Sequence, residues 1–427
     1  MTEGIGNVRE ATAIRGMART RTSSAGRTTG LAILFVAPYV PSPLRVRPFQ
    51  FIRHLSARGH RVTVLATATS KREQVDAAAL ARECHRVHVI PVSRARALWN
   101  CTRAAATGLP LQAAYCYSPA LMRRLRDALD EIVPDGIDLV HTEHVRAALF
   151  ALPLRGVPRV YDAVDSMSRL LELTAAQGPT LLTRLQARAD LSRMRRFERS
   201  LVARFDRVLA ASHADAHDLS GAQPVSVVPN GVDVVPSDSV PRDAATLVYH
   251  GRMAYHANVS AVLHLVREVM PIVWARRPDT RVVIVGSDPP RAVRALGRRH
   301  AGRVVVTNHV PDVRPYLERA TLAVVPLRYA VGMQNKILEA MAMALPVVTT
   351  PIGSSTVPHG PVLVGSTAAE VAAHVLRVLD DEVFARRLGD EGKRHVARDH
   401  TWASAVSRLE AVYAEVVESF GRRAAVA

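Results

Sequence analysis

At 427 residues, nearly half of them apolar (48%), the chain exceeds one typical domain and can fill two sizeable cores. Its 56 Lys and Arg against 38 Asp and Glu give a formal charge of +18, which favours anionic partners, although the arginine and alanine abundance throughout reads mainly as compositional bias. Cys84, Cys101 and Cys116 fall in no paired or metal-like spacing, which argues against disulfides and structural zinc; no apolar run has the length of a membrane helix and no signal-like apolar core opens the chain, so a cytoplasmic chain is expected.

Residues 1–28 lack hydrophobic periodicity and are rich in Thr, Arg, Ser and Gly, the composition of a disordered tail, with Met17 as an alternative start. From Leu31 short apolar runs alternate with helical spacing. "LAILFVA" has the character of a strand buried on both faces. "RPFQFIRHLSARGH" follows, with Phe49, Phe51, Ile52 and Leu55 at helical spacing and Gly59 as its stop. "RVTVLA", "RVHVIPV", "DLVHT", "PRVYDAV" and "DRVLAAS" continue the rhythm of βαβ units and a parallel sheet, giving a first domain over 29–232. Residues 181–205 form a long amphipathic helix whose arginines, without interleaved aromatics, read as a solvated face rather than a nucleic-acid platform. At "VPNGVDVVPSDSVPRDAAT" the pattern breaks, and a linker is placed at 233–244. "TLVYHG", "TRVVIVG", "RVVVTN", "TLAVVPL", "LPVVTT" and "PVLVG" build a second domain over 245–401, followed by a helix over 402–427 with Ala405, Leu409, Val412 and Val416 on one stripe. The expected fold is α/β: two Rossmann-like parallel-sheet domains facing each other across a cleft, with ligands beyond the carboxyl ends of the strands.

Chemistry-bearing residues gather at those strand ends. Gly251 lets backbone approach a ligand, and Arg252 supplies a planar fork for phosphate; a tight turn with a surface arginine would look the same. Gly286 ends the next strand, where a simple turn is the better reading, and Asn308 and His309 end the third, where their amides face a flat base. In "GMQNKILEAMA", the residues Gly332, Met333, Gln334 and Asn335 line a helix entrance whose first amides lack intrahelical partners, an anion site. Asn335, Lys336 and Glu339 share one helix face: a carboxylate for the two hydroxyls of a ribose beside an ammonium for phosphate, or else a surface Lys–Glu pair. In the first domain Arg45 and Arg47 either reach phosphates or an anionic second substrate or are simply exposed. Asp162 and Asp165 either bind acceptor hydroxyls or cap the following helix.

Taken together, the glycine–arginine after the first strand of the second domain, the "VG" end of the next, "NKILEAMAMALPVVTT", the opening "ILFVAPYVPSPLRVRPFQFIRHLSARGHRVTVL" and "SVVPNGVD" resemble the retaining GT-B glycosyltransferases of family four, over about residues 31–420. A subgroup associated with exopolysaccharide clusters is similar in having Asn-Lys ahead of the glutamate and an Asn in a segment like "YHANVSAV". The resemblance implies a final helix crossing back onto the first domain. It also implies transfer of a sugar, hexosyl in type, from a nucleotide-diphosphate sugar to a hydroxyl acceptor (glycan, lipid-linked or natural product), with retention and without metal or other cofactor. His141 matches a histidine placed near the donor sugar, with His144 a near alternative, and Glu339 matches the ribose-holding glutamate. Two departures stand out: Val331 occupies the place of a first glutamate that positions the donor sugar, and Ala257 that of a lysine usual five residues after the arginine, so Lys336 is expected to supply that charge. Arg252, Lys336 and His141 are the expected catalytic groups. The acceptor is expected to be shaped by loops 93–118 and 165–185. Peripheral contact with an anionic membrane fits the charge, and nucleic acid is not an expected partner. A GT-B nucleotide-sugar epimerase and a non-catalytic nucleotide-sugar-binding subunit, the latter suggested by Val331, are the competing readings.

Overall fold

The computed structural model describes residues 30–115, 122, 136–178, 180–221, 224–234 and 241–426; the expected tail at 1–28, Cys116 and most of the region 116–135 lie outside them. The chain divides into two compact units. One groups the residues up to Ala175 with Leu185–Val228 and Val406–Ala427; the other groups Ala176–Arg184 with Pro229–Ala405.

The N-terminal unit is built on a seven-stranded sheet of order β3-β2-β1-β4-β5-β6-β7, all pairs parallel. Its strands are β1 Ala32–Ala37, β2 Arg61–Ala68, β3 Arg86–Pro91, β4 Leu139–Glu143, β5 Arg159–Asp162, β6 Arg207–Ala210 and β7 Val225–Val227. The central strands β1 and β4 are buried along their whole length, the consequence of helices on both faces of a parallel sheet. β7 is not among the apolar runs read as strands from the sequence. The helix Val46–Ala57 packs Phe51, Ile52 and Leu55 inward and stops at Gly59, whose φ of +90° suits glycine. The described parts of the stretches 93–118 and 165–185 are largely helical. They hold the helices Arg94–Thr107, Leu111–Ala114 and Met167–Gln177 and the start of Leu181–Val202. On the last helix, Trp402–Val426, the buried stripe runs through Ala405, Val406, Leu409, Tyr413 and Val416, with Tyr413 in the place expected for Val412.

The C-terminal unit repeats the plan with six parallel strands of order β10-β9-β8-β11-β12-β13. These are β8 Thr246–His250, β9 Arg281–Val285, β10 Val304–Val306, β11 Leu322–Val325, β12 Val347–Thr349 and β13 Leu363–Val364. In both sheets the order reverses beside the first strand, so each has a switch point: between β1 and β4, and between β8 and β11. Part of the expected linker, 235–240, lies outside the described residues. The segment before it belongs with the C-terminal unit, where Val232 N–H donates to the His400 carbonyl at 2.8 Å. Among the described residues no helix is long and apolar enough to cross a membrane.

Candidate nucleotide-binding site

The switch point of the C-terminal sheet brings the second-domain motifs to one edge. β8 ends in Gly251, at φ +151°, where a Cβ would stand 3.0 Å from Asn258 Nδ2 and 3.3 Å from Lys336 Cε. At Gly286, the end of β9, a Cβ would lie 1.9 Å from the Gly251 carbonyl oxygen, so the two strand ends touch backbone to backbone. Gly286 N–H donates to Thr307 Oγ1 at 3.2 Å, which joins the end of β10 to the same edge. The 'simple turn' at Gly286 therefore has a packing function. Arg252 is exposed, and its guanidinium has no hydrogen-bond or ion-pair partner among the described residues. Asn308 and His309 are exposed beyond β10.

The helix Asn335–Ala342 enters this edge without a side-chain cap at Gln334. Its Lys336 is only 9% exposed, so the surface-pair reading does not hold. Lys336 Nζ donates to Asn258 Oδ1 at 2.7 Å and to Gln334 Oε1 at 3.4 Å, and lies 5.4 Å from the Tyr249 ring centroid. Asn258 Oδ1 also accepts from Tyr249 Oη at 2.9 Å, while its Nδ2 donates to the Arg252 carbonyl at 2.8 Å. One amide thus fixes both the glycine–arginine turn and the lysine. Burial pulls the Lys336 ammonium down to about 8, against the pull of Glu339 in the other direction.

Glu339 is about one-third exposed and pairs with His250 Nε2 at 2.7 Å; its second oxygen has no hydrogen bond among the described residues. Burial would raise this carboxyl, but the His250 hydrogen bond, the His250 charge and Lys336 together hold it below the ordinary range. Neither His250 nor Asn258 was marked from sequence as a site residue. The available signal was a polar residue closing an otherwise apolar buried strand, since a buried polar group needs a partner.

The remaining entrance residues are engaged by the protein itself. Gln334 is buried, with its amide donating to the Val331 and Gly332 carbonyls at 3.0 and 3.3 Å. Asn335 Oδ1 accepts from Asn230 Nδ2 at 2.9 Å, and Met333 Sδ accepts from the Asn230 amide at 3.1 Å. Gly332 takes the left-handed conformation at φ +69°. Its neighbour Val331 is half-buried.

In the N-terminal unit the structure redraws several assignments. β4 runs two residues beyond His141, which is therefore a core residue with no exposed surface. His141 stacks on Phe35 at 4.3 Å and its Nδ1 faces Tyr413 Oη at 2.8 Å; burial holds the ring neutral, at about 4, despite Asp162. His144, at φ +65°, is the histidine at the strand exit, and burial, Arg146 and Arg45 push it to about 3. Arg47 is buried and its charge is used: Nε and Nη2 grip the Asp162 carboxylate at 2.9 and 3.1 Å, and Nη1 donates to the Val228 carbonyl at 2.9 Å. Arg45 is the exposed arginine, its guanidinium 4.1 Å above the Tyr39 ring. Asp165 is half-buried, raised to about 7 by burial and Asp215. Neither Asp162 nor Asp165 caps the next helix: Glu198 accepts from the Met167 and Ser168 amides at 2.7 and 3.1 Å. Also missed from sequence was Glu143, nearly fully buried, which accepts from Tyr39 Oη at 2.9 Å and is raised to about 8 by burial first and then by Asp162.

Residues 46–235 match the family described as Glycosyltransferase Family 4, and residues 244–381 that described as Glycosyl transferases group 1. Each match covers less than half of the chain, and together with the two doubly wound sheets they support a fold of GT-B type. Among solved structures it is similar to Anabaena Alr3699/HepE in complex with UDP-glucose (TM-score 0.64, 15% identity, 91% of this chain and 100% of that one). It is similar also to a glycosyltransferase from Rickettsia africae ESF-5 (TM-score 0.64, 13% identity, 91% and 99%). Glycogen synthase of Mycobacterium tuberculosis strain H37Rv is 28% identical over 211 residues, covering 45% of this chain and 49% of that protein. The chain thus spans about half the length of the curated relatives it matches.

Proposed function

We propose that the protein transfers a sugar, hexosyl in type, from a nucleotide-diphosphate sugar to a hydroxyl acceptor, with retention of configuration and without a metal. The carrying observation is the arrangement around Gly251: an exposed arginine and a buried lysine on either side of a glycine turn, beside a partly exposed carboxylate held ionised by His250. As the glycosidic bond breaks, negative charge grows on the leaving diphosphate, and Arg252 and Lys336 supply fixed positive charge for it. Glu339 offers its oxygens to the ribose hydroxyls, and the exposed turn at Asn308 and His309 meets the base. The donor class is supported by HepE having been captured with UDP-glucose. The acceptor class stays at glycan, lipid-linked or natural-product hydroxyl.

The test is Glu339→Ala with binding of UDP measured on the purified chain. A hydrogen bond to a charged group contributes about 1.5–3 kcal/mol, so affinity is expected to fall by roughly tenfold or more. Unchanged affinity would refute the ribose assignment. A second reading, a nucleotide-sugar-binding subunit without activity, is favoured by Val331 at the expected glutamate position. Product formation by the isolated chain, followed by mass, would discard it.

A further inference from the structure

The N-terminal unit presents an apolar surface that its core does not use. Leu98 and Trp99 on the helix Arg94–Thr107 are 68% and 58% exposed, Leu111 on the next short helix 38%, and Leu185 on the helix Leu181–Val202 52%. These segments lie side by side. Asp190 accepts the Leu111 amide at 3.1 Å, Asn100 Nδ2 donates to the Tyr115 carbonyl at 3.2 Å, and Leu185 precedes Asp190 by five residues, about 7–8 Å along the helix. Soluble proteins seldom leave large apolar side chains grouped in this way without an occupant.

The surrounding charge is predominantly positive. The helix Leu181–Val202 carries six arginines and two acids, and both acids are turned inward, Asp190 to the Leu111 amide and Glu198 to the Met167 and Ser168 amides. Arg188, Arg196 and Arg199 are exposed without an ion pair among the described residues; Arg195 pairs with Glu172. From Ser93 to Tyr115 the sequence has arginines but no acid. A second copy of the chain would set like charges face to face, and a single exposed tryptophan is too few aromatics for a stacked nucleic-acid strand. Leucines and a tryptophan beside arginines are the composition of a surface that seats in the headgroup region of an anionic bilayer.

We propose that this face, formed by Leu98, Trp99, Leu111 and Leu185 with Arg188, Arg196 and Arg199, docks the protein on an anionic lipid bilayer. The site is separate from the nucleotide site and does not depend on the sugar-transfer reading. Leucines and Trp99 enter the interface, and the arginines meet the lipid phosphates.

The experiment is co-sedimentation of the full chain with vesicles of phosphatidylcholine alone and of phosphatidylcholine with an equal amount of phosphatidylglycerol. Binding to the mixed vesicles and not to the neutral ones is expected. Trp99→Ser with Leu185→Ser keeps every arginine and, both side chains being exposed, keeps the fold as read by thermal unfolding; it is expected to weaken vesicle binding by about tenfold. No binding to the mixed vesicles, full binding by the double variant, or release of bound protein by a DNA duplex at equal charge concentration would each overturn the proposal.

Discussion

Replacing Lys336 with methionine tests the C-terminal site through two opposed effects. In the folded protein burial lowers this ammonium from 10.5 to about 8, so holding it charged at pH 7 costs about 3 kcal/mol relative to the unfolded chain. The folded pKa lies below the unfolded one; the cost is therefore complete below pH 8 and is relieved as pH rises from 8 to 10.5. Methionine removes the charge and keeps most of the stem, while Asn258 Oδ1 retains its bond from Tyr249. After allowing for the lost lysine hydrogen bonds, a gain of about 2 kcal/mol is expected in the unliganded protein at pH 7, or about 5 °C in Tm. Nucleoside diphosphate binding is expected to weaken at the same time, because the proposed function gives this charge to the leaving diphosphate. A bound diphosphate also pulls the lysine back to its protonated form. At pH 8 about half the sites lack that proton, so titration calorimetry of UDP in buffers of different ionisation enthalpy should show uptake of about half a proton, falling toward zero at pH 6. Lys336→Met should take up none. A variant less stable than the parent, or no proton uptake by the parent at pH 8, would refute the reasoning.

Two further outcomes concern the N-terminal unit. Arg47→Met leaves the fully buried Asp162 carboxylate without its bidentate partner and is expected to cost about 3–5 kcal/mol in denaturant unfolding, partly restored by adding Asp162→Asn; a loss below about 1 kcal/mol would return Arg47 to a ligand-facing role. Glu143 is raised from 4.5 to about 8 in the fold, so its contribution to stability is fully present below pH 4.5 and is lost as pH rises through 8. Glu143→Gln should flatten the decline of Tm between those values, and an unchanged slope would sink the assignment.

The fold was legible where burial leaves a one-dimensional trace. Twelve of the strands appear as apolar runs because helices cover both faces of each sheet. β7 left no such trace: it is three residues long, at the sheet edge, only half-buried, and set among Pro and Ser. The helix Arg94–Thr107 passed for loop because most of its apolar residues are alanines and its two large ones, Leu98 and Trp99, are exposed. At the site, Gly251, Arg252 and Lys336 could be read because each stands at a strand or helix end, and Glu339 because it follows Lys336 by three residues on the same helix face. Their partners could not, since His250 and Glu339 are 89 positions apart and Asn258 and Lys336 are 78 apart. His141 was misplaced by two residues of strand, enough to move it from the exit of β4 into the aromatic core with Phe35 and Tyr413.

The absence of a lysine at position 257 has a physical counterpart in the packing. Ala257 is fully buried on the first turn of the helix His256–His264, where a charged side chain would have to leave the core to find an anion. The next residue, Asn258, has Lys336 bound to it at 2.7 Å, and the lysine arrives from the helix on the other side of the sheet's switch point. On the proposed reading, Lys336 supplies from the neighbouring helix the positive charge that position 257 lacks. Because Asn258 also holds the Arg252 carbonyl, the relocated charge and the arginine turn share a single anchor. Asn258 therefore holds the Lys336 ammonium and the Arg252 backbone at once, while the Arg252 guanidinium stays free to follow a ligand from a fixed turn.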